Sequence, residues 1–183
     1  MMEINILITS VSKKVWLVEA FKKALTQLKG VNGRVVSVDS DPLSAGLYLS
    51  DKYYLIPLSS DDRFIPEILR ICEKENIKLV IPTRDGELLL FAENKARFKE
   101  QGVEVMVSDP DVIETCCDKY KFYRFLAEKN IPTPETFLPQ QIDFFTTKYP
   151  LLVKSRVGSN SKNIFKVKNK KELEFFLNYL SEP

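Results

Sequence analysis

Apolar positions change their period along the chain in a regular way. Ile4 to Ile8 is a near-continuous apolar run, the pattern of a strand covered on both faces. Leu17, Ala20, Phe21, Ala24, Leu25 and Leu28 then recur at helical spacing, and Gly30 supplies a stop. Val35, Val36 and Val38 predict a second strand ending at Asp39, and Tyr53 to Ile56 a third that reaches Pro57. Phe64, Ile68, Leu69 and Cys72 mark a helix, and Leu79 to Ile81 a strand closed by Pro82. Leu88, Phe91 and Ala92 mark another helix, followed by a strand from Val103 to Val107. Alternating strands and helices with short connections predict an α/β fold, a parallel sheet with helices on both faces. Ligands in such sheets bind at the carboxyl ends of the strands. Here those ends are Thr9 to Lys14, Asp39 to Asp41, Pro57 to Ser60 and Thr83 to Glu87.

The pattern changes after Val107. Ser108-Asp109-Pro110 reads as a helix start, with a side-chain cap and Pro110 at the first helical position. A second helix starts near Asp118 and places Phe122, Phe125 and Leu126 on one face; Ile131-Pro132-Thr133-Pro134 then ends it. A short helix is predicted from Ile142 to Thr147, then a strand Leu151 to Lys154, a polar loop, and a strand Ile164 to Val167. Leu173, Phe176, Leu177 and Leu180 form the stripe of a closing helix. These signals predict two domains, residues 1–110 and a small α+β part over 111–183, with the boundary between Ser108 and Cys117.

Composition narrows the chemistry. The chain of 183 residues carries a formal net charge of +2, too balanced for a broad nucleic-acid footprint. No apolar run is long enough to span a bilayer, and the first strand is not a signal peptide. Three cysteines, Cys72, Cys116 and Cys117, lack CxxC spacing, and a reducing cytoplasm is the compartment they fit. Histidine is absent, which excludes Ser-His-Asp and Cys-His catalysis and His-ligated zinc. Reaction chemistry here must rest on Lys, Arg, Asp, Glu, backbone amides or a metal held by oxygen.

The strand ending in Lys154 runs into Ser155-Arg156-Val157-Gly158-Ser159-Asn160-Ser161-Lys162-Asn163. A small-residue loop of this kind can wrap polyphosphate with backbone N–H groups and hydroxyls while a lysine neutralises charge. On the residues alone, a plain hairpin with an exposed lysine is an equal reading. At the first domain's edge, Asp39 can face a ligand hydroxyl or amine, while Asp41 before Pro42 reads as a helix cap. Among Thr83, Arg84, Asp85 and Glu87, Asp85 reads as the cap, leaving Thr83 and Glu87 as site candidates.

Three separated segments carry a resemblance. Tyr149-Pro150-Leu151-Leu152-Val153-Lys154 with its loop resembles the ATP-grasp strand and Gly/Ser-rich phosphate loop. Cys117-Asp118-Lys119-Tyr120, Phe125-Leu126 and Ile131-Pro132-Thr133-Pro134 are similar to the signature entering that domain. Asn5 to Ser10, Asp39-Ser40-Asp41-Pro42 and Ile81-Pro82-Thr83 resemble the Rossmann-like domain that precedes it in carbamoyl-phosphate-synthase-like proteins. The resemblance covers the whole chain in order. Departures are Ser12, Asn160 and Asn163, where relatives often have Gly, and Ser155 in place of a proline. Asn tolerates left-handed backbone better than most residues.

The resemblance implies ATP binding through Lys119, Lys154, Gly158, Ser159 and Ser161, with Ser10, Asp39, Thr83 and Glu87 on the side of the second substrate. For Lys119, a solvated helix lysine is the plainer reading of the residue itself. The implied reaction activates a carboxylate or bicarbonate as an acyl phosphate with ATP and Mg2+, and an amine then attacks. The resemblance further implies that the chain holds the first lobe only, inactive alone, with metal ligands elsewhere and a homodimer or a complementing C-terminal portion as partner. A nucleotide-binding or regulatory module without turnover is the alternative. A nicotinamide enzyme is disfavoured because Thr9-Ser10-Val11-Ser12 replaces a G-x-G-x-x-G turn.

Overall fold

A computed structural model of the chain describes residues 2–144, 146–158 and 163–181. It divides into two compact units, Met1–Ile113 and Glu114–Pro183. The first contains β1 (Met2–Glu3), β2 (Asn5–Ile8), α1 (Val15–Gln27), β3 (Val31–Asn32), β4 (Val35–Asp39) and β5 (Lys52–Leu55). It continues through α2 (Phe64–Lys74), β6 (Ile77–Ile81), α3 (Asp85–Glu100) and β7 (Glu104–Val105). The division falls inside α4 (Pro110–Cys117). The second unit holds α5 (Lys119–Glu128), the hairpin strands β8 (Leu151–Lys154) and β9 (Ile164–Val167), and α6 (Lys170–Ser181).

Five strands form one parallel sheet in the order β5-β4-β2-β6-β7. Along β2, Ile6 and Ile8 point to one face and Leu7 to the other, all three buried, which is why the sequence shows a continuous apolar run and not an alternation. The Ile6 face packs with Val18 and Leu25 of α1. The Leu7 face meets Ile68 and Ile71 of α2 and Phe91 and Phe98 of α3, the Phe91 ring lying edge-on to Phe64 and tilted against Phe98. Each such side chain, fully buried, contributes about 1.5–3 kcal/mol. The order of strand addition reverses at β2, with β4 on one flank and β6 on the other, so a topological switch point lies between β2 and β6. β7 is shorter than the predicted Val103 to Val107 because the Val107 N–H turns back to the Val105 carbonyl at 2.8 Å.

A 3-10 helix, Ala45–Leu49, lies against the β2–α1 loop: the Gly46 N–H donates to the Ser12 carbonyl at 2.9 Å. A Cβ at Gly46 would come within 2.5 Å of a Val11 methyl, so only glycine allows this approach. Ser44, not Asp41, sits at the cap position of this helix; Asp41 instead accepts the Leu43 N–H in a local turn.

In the second unit, β8 and β9 pair antiparallel as a sheet of their own, from Leu151 opposite Val167 to Lys154 opposite Ile164. Val153, Val167 and Leu173 are its buried centre, with Tyr149, Phe176, Leu177 and Leu180 packed around them. The helix predicted from Ile142 to Thr147 is not formed among the described residues. The one short helix there is the 3-10 turn Pro139–Gln141, and Asp143 draws the Thr146 hydroxyl (2.8 Å) and the Thr146 and Thr147 N–H groups onto itself. Phe122 and Phe125 of α5 are exposed, and α5 has no fully buried residue. No helix among the described residues is long and apolar enough to cross a membrane.

Candidate functional site

At the carboxyl edge of the parallel sheet, the switch point is laced shut by hydrogen bonds around Glu87. One carboxylate oxygen of Glu87 accepts from the Thr9 hydroxyl at 2.6 Å, the Thr83 N–H at 3.0 Å and the Arg84 N–H at 3.2 Å. The other accepts from the Ser10 hydroxyl at 2.8 Å. The Thr83 hydroxyl donates to the Thr9 carbonyl at 2.6 Å, so the ends of β2 and β6 are tied twice. Glu87 is fully buried, and this set of donors is what lets a carboxylate stay there. It caps α3 by accepting the N–H groups ahead of it, while Asp85, read from sequence as the cap, is the first helical residue. Both Glu87 oxygens face inward, onto these donors.

Asp39, at the end of β4, is also turned to the protein. It accepts the Ser12 N–H at 2.7 Å and the Asp41 N–H at 3.0 Å and is nearly buried. Its grip shapes the β2–α1 loop, in which Ser10 and Ser12 adopt left-handed backbone with φ of 46° and 44°. That conformation explains why glycine suits position 12 elsewhere.

In the second unit, the start of α5 and the loop leaving β8 are built together. Asp118 caps α5, one oxygen accepting from the Tyr120 N–H (2.9 Å) and the Lys121 N–H (3.0 Å). Its other oxygen accepts from Arg156 Nε at 2.7 Å. The Arg156 guanidinium holds the Asp118 carboxyl down at about 2 against the opposing pull of burial, with the two helix amides adding to the effect. The guanidinium also lies over the Tyr120 ring, 5.9 Å from its centre. The Lys119 N–H donates to the Arg156 carbonyl at 3.0 Å, and Lys119 Nζ donates to the Gly158 carbonyl at 2.9 Å. Lys154 closes β8 with an exposed side chain that makes no hydrogen bond or ion pair to the described residues.

Comparison with known proteins places these two halves in one family. Residues 6–106 match the family model described as PylC-like, N-terminal domain, and residues 116–181 match that of the ATP-grasp domain. The chain belongs to the ATP-grasp superfamily. It is 24% identical over 156 residues to the arginine-specific large chain of carbamoyl phosphate synthase from Halalkalibacterium halodurans, covering 81% of this chain and 14% of that one. The fold is similar to that of an L-amino acid ligase from Bacillus licheniformis, with a TM-score of 0.67, 18% identity, and coverage of 99% of this chain and 43% of that one. A biotin carboxylase domain dimer from Hydrogenobacter thermophilus, solved with ADP, magnesium and bicarbonate, gives a TM-score of 0.65 at 17% identity, covering 96% of this chain and 40% of that one. The chain thus spans well under half the length of these relatives.

Within the ATP-grasp part, Lys119 and Gly158 are in contact and Lys154 lies on the same strand-and-loop segment. Ser159 and Ser161 lie outside the described residues. In the PylC-like part, Ser10, Thr83 and Glu87 meet in one network and Asp39 belongs to a second one. Sequence reading missed Arg156. Its signal is weak, a lone arginine in a polar loop, and only its distance from Asp118 reveals the pair.

Proposed function

We propose that this chain supplies phosphate-binding and substrate-side surfaces of an ATP-dependent carboxylate–amine ligase acting through an acyl phosphate. The supporting observation is the convergence of Lys119 on the loop that follows Lys154, through its bond to the Gly158 carbonyl. Lys154 is exposed and without a partner among the described residues, as a cation that takes phosphate oxygens requires. Ser159 and Ser161 would add hydroxyls to the same loop. Each lysine–phosphate bond is charge-assisted and contributes about 1.5–3 kcal/mol.

The donor set here suits a polyphosphate better than a metal. No group of three acidic or thiol side chains comes together among the described residues, so no residue is assigned to Mg2+. When bound, Mg2+ would supply positive charge that offsets the charge of phosphoryl transfer. Asp39 and the Glu87 network act by shaping the carboxyl edge of the sheet, where a small carboxylate or amine would sit.

Calorimetric titration of ATP into the chain tests the reading. Lys154→Ala is expected to weaken binding roughly tenfold or more, and Lys119→Ala less, with both variants folded. Unchanged affinity in Lys154→Ala would return this segment to a plain hairpin.

A further inference from the structure

Arg156 carries more contacts than a loop residue with a half-exposed side chain needs. Its Nε reaches Asp118 at 2.7 Å, its guanidinium lies over Tyr120, and its carbonyl accepts the Lys119 N–H at 3.0 Å. Lys119 Nζ approaches the same carbonyl at 3.5 Å. Together the contacts reach all three residues of one turn, Asp118-Lys119-Tyr120. The arginine of this pair is half exposed while Asp118 is largely covered, and stability alone does not account for so many groups of one loop residue meeting a single turn.

The contacts have a geometric result. Asp118 divides its two oxygens, one on the helix and one on the loop, so the start of α5 and the root of the loop cannot shift separately. The N–H groups of the first helical turn are also consumed: those of Tyr120 and Lys121 by Asp118, that of Lys119 by Arg156. An anion at this end must therefore be taken by the Lys119 side chain and not by the helix terminus. Two residues beyond Arg156, Gly158 adopts φ of +121°, a backbone state open to glycine. The loop root is thus held at Arg156, and the Gly158 carbonyl is turned to accept from Lys119 Nζ.

We infer that Arg156, clamped by Asp118 and Tyr120, is a positioning residue for polyphosphate: it fixes the loop root against α5 so that Lys119 meets the phosphates. The inference rests on the phosphate-binding reading above. In this role Arg156 positions the loop and Lys119 takes the phosphate: Arg156 Nε is held on Asp118 and its guanidinium lies over the Tyr120 ring.

The test is a double-mutant cycle read by ATP calorimetry, with thermal melts alongside. Arg156→Ala is expected to weaken ATP binding roughly three- to tenfold, with little change in melting temperature. Asp118→Asn keeps a good helix cap but removes the ion pair, and is expected to show the same loss. Arg156→Lys keeps the charge without the planar fork and is expected not to restore affinity. In a Lys119→Ala background the Arg156→Ala loss disappears, since there is no lysine left to position. Additive losses would make Arg156 a direct phosphate ligand and overturn the inference. No loss in Arg156→Ala, with Lys119→Ala still weakened, would also overturn it while leaving the phosphate reading standing. If Lys119→Ala and Lys154→Ala both bind ATP normally, the phosphate reading fails and the inference falls with it.

Discussion

Lys119 Nζ donates to the carbonyl of Gly158 at 2.9 Å, across 39 positions of sequence. This bond joins the first residue of a helix to Gly158, at the start of the loop that leaves β8. A phosphate oxygen competing for Nζ would have to replace this carbonyl. Lys119→Ala is therefore expected to raise the rate of tryptic cleavage after Arg156 severalfold in the absence of nucleotide. Peptide mass analysis over a digestion time course measures this, and an unchanged rate would show that the contact does not restrain the loop.

Glu87 is expected to matter for stability. Glu87→Ala leaves the hydroxyl of Thr9 and the N–H groups of Thr83 and Arg84 without their acceptor, and should cost about 2–3 kcal/mol. Glu87→Gln should cost less. Its amide oxygen can keep the acceptor site that takes three donors, and the Ser10 hydroxyl can reverse to accept from the new NH2. Urea unfolding of the three proteins decides this; equal stability of wild type and Glu87→Ala would contradict the network.

Acid should separate wild type from Asp118→Asn. The Asp118 carboxyl sits at about 2 in the folded chain against an ordinary value of 3.8, a depressed pKa. The stability it contributes is fully present above pH ~4 and is lost as pH falls through the folded value near 2. Asp118→Asn should remove that part of the acid limb, so the two stability curves converge as pH drops from ~4 to ~2. Denaturant midpoints measured across this range check the sign.

Thiol labelling should rank the cysteines. Cys116 is exposed and Cys117 half-buried, while Cys72 lies in the core, where burial pushes its thiol up to about 12. An alkylating reagent at pH 8 is expected to modify Cys116 first and Cys72 only after denaturant is added. Early modification of Cys72, seen by mass spectrometry, would show that the α2 face opens readily.

Much of the first unit was legible because its signals are local and apolar. The run Ile4 to Ile8 and the triplets at Val35 and Leu79 can hardly be anything but buried strands, and the parallel order follows from the helices between them. Asn163 was legible too: its φ of 57° is the left-handed turn expected of an Asn standing where relatives have Gly. What escaped was directional. Sequence marks Glu87 as an acid at a strand end, but whether it faces ligand or protein depends on Thr9 and Ser10, more than seventy residues away. The same holds for Arg156 and Asp118, which only the fold brings together. The helix expected from Ile142 is not continued beyond a turn, in which the Thr147 N–H reaches the Asp143 carbonyl at 3.0 Å.

The position of β2 has a consequence for how the chain is made. It precedes the other four strands of its sheet in the sequence, yet it is the middle strand, and one of its neighbours, β6, is translated after α1, β4, β5 and α2. At roughly 5–20 residues per second, its β6 edge stays unpaired for several seconds, with Ile6, Leu7 and Ile8 still lacking part of their cover. During that interval an early half-sheet of β2, β4 and β5 carries an open, apolar edge of the kind chaperones bind. Emergence of Ile77–Ile81 supplies the strand that covers that edge.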